Sequence, residues 1–338
     1  EDWQNLGPDS CSSALVCLSG GVDSTAALLQ CSTLFGSVRA VYVQTGHRAP
    51  PEQAYESCRQ LGIEFSVADA KALFNTQIKQ FTLDAYRSGR TPNPCALCNA
   101  RVKLAVPFSM LAHGECLVTG HYAGNSVSTL ERGRDSTKDQ SYFLSLVSSD
   151  ILDRCFFPLG ESFKRDVRVE VLESGLSFVE RESQDLCFRR AGSGVPGDVV
   201  DTDGSVVGRH NGLDSYTPGQ RKGFGAHNGR KYVVQLDVVR NRLVIGEEQY
   251  LYSEYCILNS INWLNKPVEE KFTCKVQTRY RKTAVPADVF VKGDGKQAVV
   301  KFHRPQKAVA PGQVGVMFLS DSVIGGGIID RYEGDTYA

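Results

Sequence analysis

A glycine-containing loop with a serine at each end lies near the start of the chain, in the sequence Ser19-Gly-Gly-Val-Asp-Ser24. It follows a short apolar run at residues 14–18 and precedes an Ala- and Leu-rich segment at residues 25–31, so we predict a strand, a turn and a helix. Amides at a helix N-terminus bind phosphate, and glycines let a ligand approach the backbone. Because no Lys precedes the hydroxyl residue, the loop differs from the one that grips the γ-phosphate in kinases and GTPases.

Two cysteines stand three residues apart in the sequence Cys95-Ala-Leu-Cys98, and a third, Cys187, lies far along the chain. A C-x-x-C pair can bind zinc, cycle as a dithiol or supply two thiolates to an iron–sulfur cluster. A second such pair is absent, which argues against a closed structural zinc site. Cys98 and Cys187 adjoin polar sequence broken by Pro or Gly, where a thiol can be exposed. Cations that could favour the thiolate are Arg90, Arg101, Lys138 and Arg189.

Strands and helices alternate through the first half of the chain and would position these residues. We predict strands at residues 38–44, 63–67 and 116–119, and helices at residues 51–61 and 73–87. The alternation indicates an α/β fold with a doubly wound parallel sheet. Gly120 and His121 follow the last of these strands, at the edge where open α/β sheets bind ligands.

The composition of the sequence changes after about Ala191, where Gly and Pro recur and the apolar segments become short. Short apolar runs then follow at hairpin-like intervals, which is typical of sandwiches and small barrels. We therefore predict three domains: a catalytic α/β domain at residues 1–192, a small, mostly β central domain at 193–248 and a C-terminal β-barrel at 249–338.

The 338 residues include 38 Lys and Arg and 38 Asp and Glu, a net charge of zero. No global field attracts a nucleic acid, so such binding must come from local patches. No basic segment precedes an apolar run at the N-terminus and no apolar run is long enough to span a membrane, so we expect neither a signal peptide nor a membrane partner. The expected compartment is the cytoplasm, where most of the 11 cysteines would be reduced.

Further motifs follow in order along the chain. They are Gly89-Arg-Thr-Pro-Asn-Pro-Cys-Ala-Leu-Cys-Asn99, Thr119-Gly-His-Tyr122, Lys138-Asp-Gln-Ser141, Asp185-Leu-Cys-Phe188, Tyr216-Thr-Pro-Gly-Gln220 and Ala310-Pro-Gly-Gln313. With the loop at Ser19, this series resembles the tRNA-specific 2-thiouridylase family of the PP-loop pyrophosphatase superfamily. Members of that superfamily cleave ATP between the α and β phosphates and leave AMP on a carbonyl oxygen.

The resemblance implies ATP and Mg²⁺ as cofactors and assigns roles to individual residues. It implies that pyrophosphate binds to Ser19, Gly20, Gly21, Val22 and Ser24. Asp23 would help to position Mg²⁺ or to set the geometry of adenylation. Lys138 would face the α-phosphate or developing negative charge. Gly120 would adjoin the nucleotide, and His121 would contact nucleotide or RNA or hydrogen-bond backbone. Cys98 and Cys187 would act with Asp23 and Lys138 in catalysis, one of the cysteines carrying or releasing sulfur as a persulfide.

The chain departs from the family pattern at Cys95, where the family usually has Asp. Cys95, Cys98 and Cys187 could then ligate a 4Fe-4S cluster whose open iron carries a sulfide, or Cys95 could be an idle neighbour. The segments at residues 44–51 and after Cys187 are shorter than in the family. A divergent paralogue with a changed substrate is therefore an alternative.

Three basic clusters with aromatic residues close by have the residue types that contact phosphates and stack on bases. We predict RNA contacts from Arg189, Arg221, Lys222, Arg279, Arg281 and Lys282. The predicted reaction adenylates the C2 carbonyl oxygen of the wobble uridine of tRNA and then transfers sulfur, releasing AMP and pyrophosphate. The predicted partners are tRNA and a sulfur-donor protein or sulfide source. The alternatives are a PP-loop synthetase with an amine nucleophile, which needs no paired cysteines, and a non-catalytic RNA-binding or metal-storage paralogue.

Overall fold

The structure, a computed structural model, describes residues 11–46, 48–126, 129–180, 194–225 and 229–332. Three β-sheets organise these residues: a parallel sheet with helices, a small four-stranded sheet and a sheet that closes into a barrel. The predicted fold class is confirmed. No helix within these ranges is both long enough and apolar enough to cross a membrane.

The first sheet has five parallel strands in the order β3-β2-β1-β4-β7. Its strands are β1 (Ser13–Cys17), β2 (Ser37–Gln44), β3 (Glu64–Asp69), β4 (Glu115–Thr119) and β7 (Cys155–Phe156). Every residue of β4 is buried, as expected for an inner strand of a sheet covered on both faces. The apolar runs of the sequence therefore identify these strands, with ends displaced by a residue or two.

Nine α-helices accompany this sheet in the described part of the first domain. They are α1 (Val22–Leu34), α2 (Glu52–Leu61), α3 (Lys71–Phe74), α4 (Phe81–Arg87), α5 (Pro94–Cys98), α6 (Ala105–Phe108), α7 (Ser141–Leu144), α8 (Ser149–Leu152) and α9 (Lys164–Ser174). The helix predicted at residues 73–87 begins two residues earlier and has a π-helical middle at Asn75–Gln80. A second π-helical segment, Asn99–Lys103, continues α5 towards α6. Helix α9 packs against α1, which brings a late segment of the domain to the start of the sheet.

The central sheet consists of β8 (Gly197–Asp201), β9 (Val206–His210), β10 (Tyr232–Asp237) and β11 (Arg242–Gly246) in the order β10-β11-β8-β9. Its core includes the side chains of Val199, Leu243 and Ile245, all fully buried. In β8, β10 and β11, buried residues are interspersed with half-buried ones, whereas most of β9 is exposed or half-buried.

The C-terminal barrel contains β12 (Tyr252–Trp263), β13 (Lys271–Gln277), β14 (Val285–Lys292), β15 (Gln297–Lys307), β16 (Val314–Leu319) and β17 (Ser322–Asp330). It closes because β12 pairs with both β15 and β17. A hairpin of the first domain, β5 (Ala123–Ser126) and β6 (Thr129–Arg132), pairs with β17 and extends this sheet. The sequence did not predict this pairing, which joins the first domain to the barrel.

The central domain also contacts the barrel. The guanidinium of Arg279 donates a hydrogen bond of 2.9 Å from Nη2 to the carbonyl oxygen of Pro218. A Cβ on Gly219 would lie 2.8 Å from the Cβ of Ala308, so the two domains meet at this turn without intervening side chains. The central domain and the barrel thus touch at a short turn that contains Pro218-Gly-Gln220.

Candidate active site

The loop Ser19-Gly-Gly-Val-Asp-Ser24 runs from the end of β1 to the first turn of α1, and we call it the phosphate loop after its predicted ligand. Its ends are joined by hydrogen bonds: the Ser24 hydroxyl accepts from the Ser19 amide at 3.2 Å, lies 3.1 Å from the Ser19 hydroxyl and donates to the Gly21 carbonyl at 3.0 Å. Gly20 has φ +81°, a conformation that favours glycine.

The start of α1 is open to a ligand. Gly21 precedes the helix and no side chain caps its first turn, whose amides therefore face outward. A Cβ built on Gly21 would meet nothing closer than the Ser19 hydroxyl at 3.7 Å, so glycine leaves a space beside these amides. Uncapped amides and a cradle that a side chain would fill fit a phosphate group.

Asp23 lies in the first turn of α1 and is held by two side chains from distant segments. Its carboxylate accepts hydrogen bonds from the ammonium of Lys164 at 2.7 and 2.8 Å and from the hydroxyl of Tyr122 at 2.8 Å. Lys164 is the first residue of α9 and its side chain is only 15% exposed. Lys164 is not among the site residues predicted from the sequence, although its ammonium binds the Asp23 carboxylate of the phosphate loop.

The Lys138-Asp-Gln-Ser141 motif holds Tyr122, one of the two residues that bind the Asp23 carboxylate. The Asp139 carboxylate accepts from the amides of Gly133 and Ser141 and from Arg132, and the Gln140 side chain accepts from the Tyr122 amide at 3.0 Å. The motif therefore fixes the residue whose hydroxyl binds Asp23.

Lys138 itself is half-buried and lies near Asp135. Hydrogen bonds from Thr137 chiefly lower the pKa of Asp135, and the amide of Lys164 and the charge of Lys138 contribute to the same shift. The amide of Lys164 donates to Asp135 at 3.1 Å. The backbone amides of both lysines thus bind Asp135.

His121 follows β4 and contacts the helix that carries the cysteines. Its Nε2 accepts a hydrogen bond from the side-chain Nδ2 of Asn99 at 3.3 Å, and its Nδ1 lies against the Thr119 hydroxyl. Burial, together with the charge of Lys103, lowers the pKa of His121 to about 3. The imidazole is thus neutral near pH 7 and links the strand end to the segment after α5 through the side chains of Thr119 and Asn99, whereas the expected alternative was a bond to the backbone.

Helix α5 carries Cys95 and Cys98, one helical turn apart. It begins with Pro94, and the Asn93 side chain caps it by accepting from the amide of Ala96 at 3.1 Å. Cys95 is exposed, whereas Cys98 is only 4% exposed.

The burial of Cys98 differs from the exposure that its polar sequence context suggested. Cys98 packs with Phe74, Ile78, Leu97 and other apolar side chains, and of these Phe74 and Ile78 come from an earlier helical segment of the chain. Cys187 and Arg189 lie outside the described residues. Among the residues that the structure describes, no group of three His, Cys, Asp or Glu side chains is arranged to hold a metal.

The predicted RNA-binding residues fall into exposed and half-buried groups. Arg221, Lys222 and Arg281 are exposed. Arg279 is half-buried through its bond to Pro218, and Lys282 is half-buried and donates to the carbonyl of Lys307. Burial, with the charges of Arg279 and Lys307, lowers the pKa of Lys282 to about 8. The contact between Arg279 and Pro218 places the exposed cations on adjacent loops of two domains.

Comparisons with known proteins match the three structural regions. The family described as tRNA methyl transferase HUP domain matches residues 12–191, the tRNA methyl transferase PRC-barrel domain matches residues 188–247, and the aminomethyltransferase beta-barrel domain matches residues 253–329. These matches follow one another along the chain without a large gap.

Curated relatives are similar over nearly their whole length. The tRNA-specific 2-thiouridylase MnmA of Acidithiobacillus ferrooxidans is 36% identical over 95% of this chain and 99% of the relative. MnmA of Oleidesulfovibrio alaskensis is 39% identical over 93% of this chain and 98% of the relative. Among solved structures, the U34-tRNA thiolase NcsA from Methanococcus maripaludis with its 4Fe-4S cluster has 18% identity and a TM-score of 0.35, covering 55% of this chain and 65% of that chain. A likeness at that level supports no inference about this chain.

The parallel sheet and its lysine-free phosphate loop place the protein in the class of PP-loop enzymes. The two β domains and the near full-length identity to curated relatives narrow that class. The chain belongs to the tRNA-specific 2-thiouridylase family, as the series of motifs predicted.

We expect Lys164→Met to weaken the binding of Mg²⁺–ATP by about tenfold or more, because a hydrogen bond to a charged group contributes about 1.5–3 kcal/mol. The substitution also removes the ammonium that balances the Asp23 carboxylate, which keeps the hydrogen bond from Tyr122. Isothermal titration calorimetry of the two proteins with Mg²⁺–ATP measures the change.

Lys231→Met is the matched control, since Lys231 and Asp201 form an ion pair of 2.7 Å in the central domain. This variant should bind Mg²⁺–ATP like the unaltered protein. If Lys164→Met and the unaltered protein bind Mg²⁺–ATP with equal affinity, Lys164 does not contribute to the nucleotide site.

Proposed function

We propose that this protein is an ATP-dependent tRNA uridine 2-sulfurtransferase. It adenylates the C2 carbonyl oxygen of the wobble uridine and replaces that oxygen with sulfur, releasing AMP and pyrophosphate. The observation that supports this most directly is that the residues after β4 lie beside both parts of the site. A Cβ on Gly120 would lie 2.6 Å from the Asp23 carbonyl oxygen, and His121 is hydrogen-bonded to Asn99, which follows the cysteine helix. Membership of the 2-thiouridylase family agrees with this chemistry.

The first step needs the phosphates of ATP to be held while the uridine oxygen attacks the α-phosphorus. Loop residues Ser19 to Ser24 and the first turn of α1 would bind pyrophosphate as it leaves. Lys164 and Lys138 would neutralise the charge that develops on the phosphates. Mg²⁺ prefers phosphate oxygens with one or two carboxylates, and Asp23 is the carboxylate of this loop.

The second step replaces AMP with sulfur. In the persulfide route, the terminal sulfur of a persulfide on Cys98 or Cys187 attacks C2 of the uridine, the C2–O bond breaks and AMP leaves. The thiolate of the other cysteine then attacks the sulfur of the carrier cysteine, which forms a disulfide and releases 2-thiouridine. A thiol reductant restores the two cysteines. The sulfur arrives from a donor protein or a sulfide source.

A 4Fe-4S cluster is the other route by which the cysteines could deliver sulfur. The donor set fits in part, because thiols one helical turn apart, as in Cys95 and Cys98, can both reach a cluster. Cys187 would be the third ligand. Such a cluster, when bound, would supply a sulfide at its open iron, while Asn93 and Asn99 of this chain would keep the helix in place.

The test of the function incubates the protein with tRNA, ATP and a persulfide donor, and measures nucleosides and nucleotides by mass spectrometry. We expect 2-thiouridine, AMP and pyrophosphate in equal amounts. Cys98→Ser and Cys187→Ser should abolish 2-thiouridine, because each removes a thiolate needed for transfer. Cys11→Ser, at a half-exposed cysteine ahead of β1, is the control and should remain active.

Full thiolation by Cys187→Ser with ATP and a protein persulfide donor would contradict the role of that thiolate. The iron and acid-labile sulfide content of anaerobically prepared protein separates the two routes. Cluster binding predicts that Cys95→Ser lowers both contents, whereas the persulfide route predicts full activity without iron. AMP formation with an amine product and no 2-thiouridine would instead identify a synthetase.

We infer that tRNA binds across the exposed cations Arg221, Lys222 and Arg281. Removing one cation that binds a phosphate should reduce the slope of log affinity against log salt concentration by about 1. Arg281→Ala should therefore flatten the slope measured by filter binding, without disturbing the buried contact of Arg279 with Pro218.

Lys292→Ala is the control for this measurement, because Lys292 is an exposed cation at the far end of β14 from Arg281. Its slope should match that of the unaltered protein. A slope that changes with Lys292→Ala and not with Arg281→Ala would place the RNA on the other end of the barrel.

A further inference from the structure

The segment that leads into the cysteine helix is held by a turn of the C-terminal barrel. The amide of Thr91 donates to the carbonyl oxygen of Pro311 at 2.7 Å. The side chain of Gln313 donates from Nε2 to the carbonyl oxygen of Thr91, also at 2.7 Å. Both backbone polar groups of Thr91 are thus bound by the Pro311-Gly-Gln313 turn, far away in sequence.

The turn is shaped for this contact. Gly312 has φ +91°, and a Cβ there would lie 2.9 Å from the Thr91 amide nitrogen, so only glycine allows the turn to approach so closely. The Gly312 amide donates to the carbonyl of Ile329, and the Ile329 amide donates to the carbonyl of Gln313. These two bonds fix the turn to β17, one of the strands of the closed barrel.

An ion pair strengthens the same junction. The guanidinium of Arg90 lies 2.7 Å from the carboxylate of Asp330, at the end of β17. Both side chains are partly exposed, so this pair contributes modestly. The bonds of Thr91, which is largely buried, are the stronger restraint.

The restraint on Thr91 reaches the cysteines through a stiff connection. The sequence from Thr91 to α5 is Thr91-Pro-Asn-Pro94, in which each proline fixes its own φ and limits the residue before it. The intervening residue, Asn93, caps α5 through the amide of Ala96. A shift of the Thr91 carbonyl therefore moves the start of the helix that carries Cys95 and Cys98.

The bonds that hold Asp23 in the nucleotide half of the site do not pass through this junction. Asp23 is held by Lys164 and Tyr122, and Gly120 packs directly against the backbone of Asp23. These bonds lie within the first domain and do not pass through the turn. Loosening the turn should thus disturb sulfur delivery and leave adenylation in place.

We propose that Gln313 is a positioning residue for sulfur transfer, which acts through the Thr91 carbonyl on the helix of Cys95 and Cys98. This inference rests on the proposed function. Without the bond from Gln313, the sulfur is out of position, sulfur transfer slows and the adenylated uridine persists. Water then attacks C2, the C2–O bond to AMP breaks, and the products are AMP and the original uridine.

The experiment measures the ratio of AMP released to 2-thiouridine formed, with tRNA, ATP and a persulfide donor. The unaltered protein should give a ratio near 1. In Gln313→Leu the ratio should rise by about two- to tenfold, the range that corresponds to removing one neutral hydrogen bond. Gln297→Leu is the matched control, since Gln297 donates at 2.7 Å to Asn259 within the barrel; its ratio should stay near 1.

A purely structural role for Gln313 predicts that both products fall together and the ratio stays near 1, which would overturn the proposal. If Gln313→Leu does not fold, Gln313→Glu supplies the same reading, because a carboxylate of nearly the same length cannot donate to the Thr91 carbonyl. Failure of the unaltered protein to make any 2-thiouridine would refute the proposed function itself. The two failures are therefore distinguishable.

Discussion

The parallel register of β1 and β4 is the constraint on which the site depends. Cys17 pairs with Thr119 at the ends of these strands, so the phosphate loop and Gly120 leave the sheet at the same level. They pack so closely that a Cβ on Gly120 would lie 2.6 Å from the Asp23 carbonyl oxygen. Glycine is needed at this position for space. The contact brings the residues after β4, including His121, beside the first turn of α1.

The two halves of the site are held in different ways. The nucleotide half is built within the first domain, where α9 packs on α1 and delivers Lys164 to Asp23. The cysteine helix is held on one side by Asn99 and on the other by the barrel turn at Gln313. Because the barrel also shares a sheet with the β5–β6 hairpin, the first domain and the barrel have little freedom to separate. Separate sets of contacts can thus hold the residues for adenylation and those for sulfur delivery at one edge of the parallel sheet.

Local sequence predicted the parts of this arrangement that have local causes. Apolar runs followed by glycine indicated the strand, loop and helix around Ser19, and Asn93-Pro94 is a recognisable helix start. The partner of Asp23 could not be predicted in this way, since Lys164 is 141 residues away and belongs to an ordinary polar helix start. The burial of Cys98 likewise depends on Phe74 and Ile78, which reach it only in the folded domain. The β5–β6 hairpin has no strong apolar alternation, and its pairing with β17 is a tertiary event.

In the proposed reaction ATP activates the uridine oxygen itself, and an isotope experiment can follow that oxygen. The protein is incubated with ATP, a persulfide donor and tRNA that carries ¹⁸O at C2 of the wobble uridine. If that oxygen attacks the α-phosphorus and later leaves with AMP, we expect one ¹⁸O atom in each AMP formed with 2-thiouridine. Unlabelled AMP accompanying 2-thiouridine would contradict it, because the oxygen would then have left the base by a path that does not include adenylation.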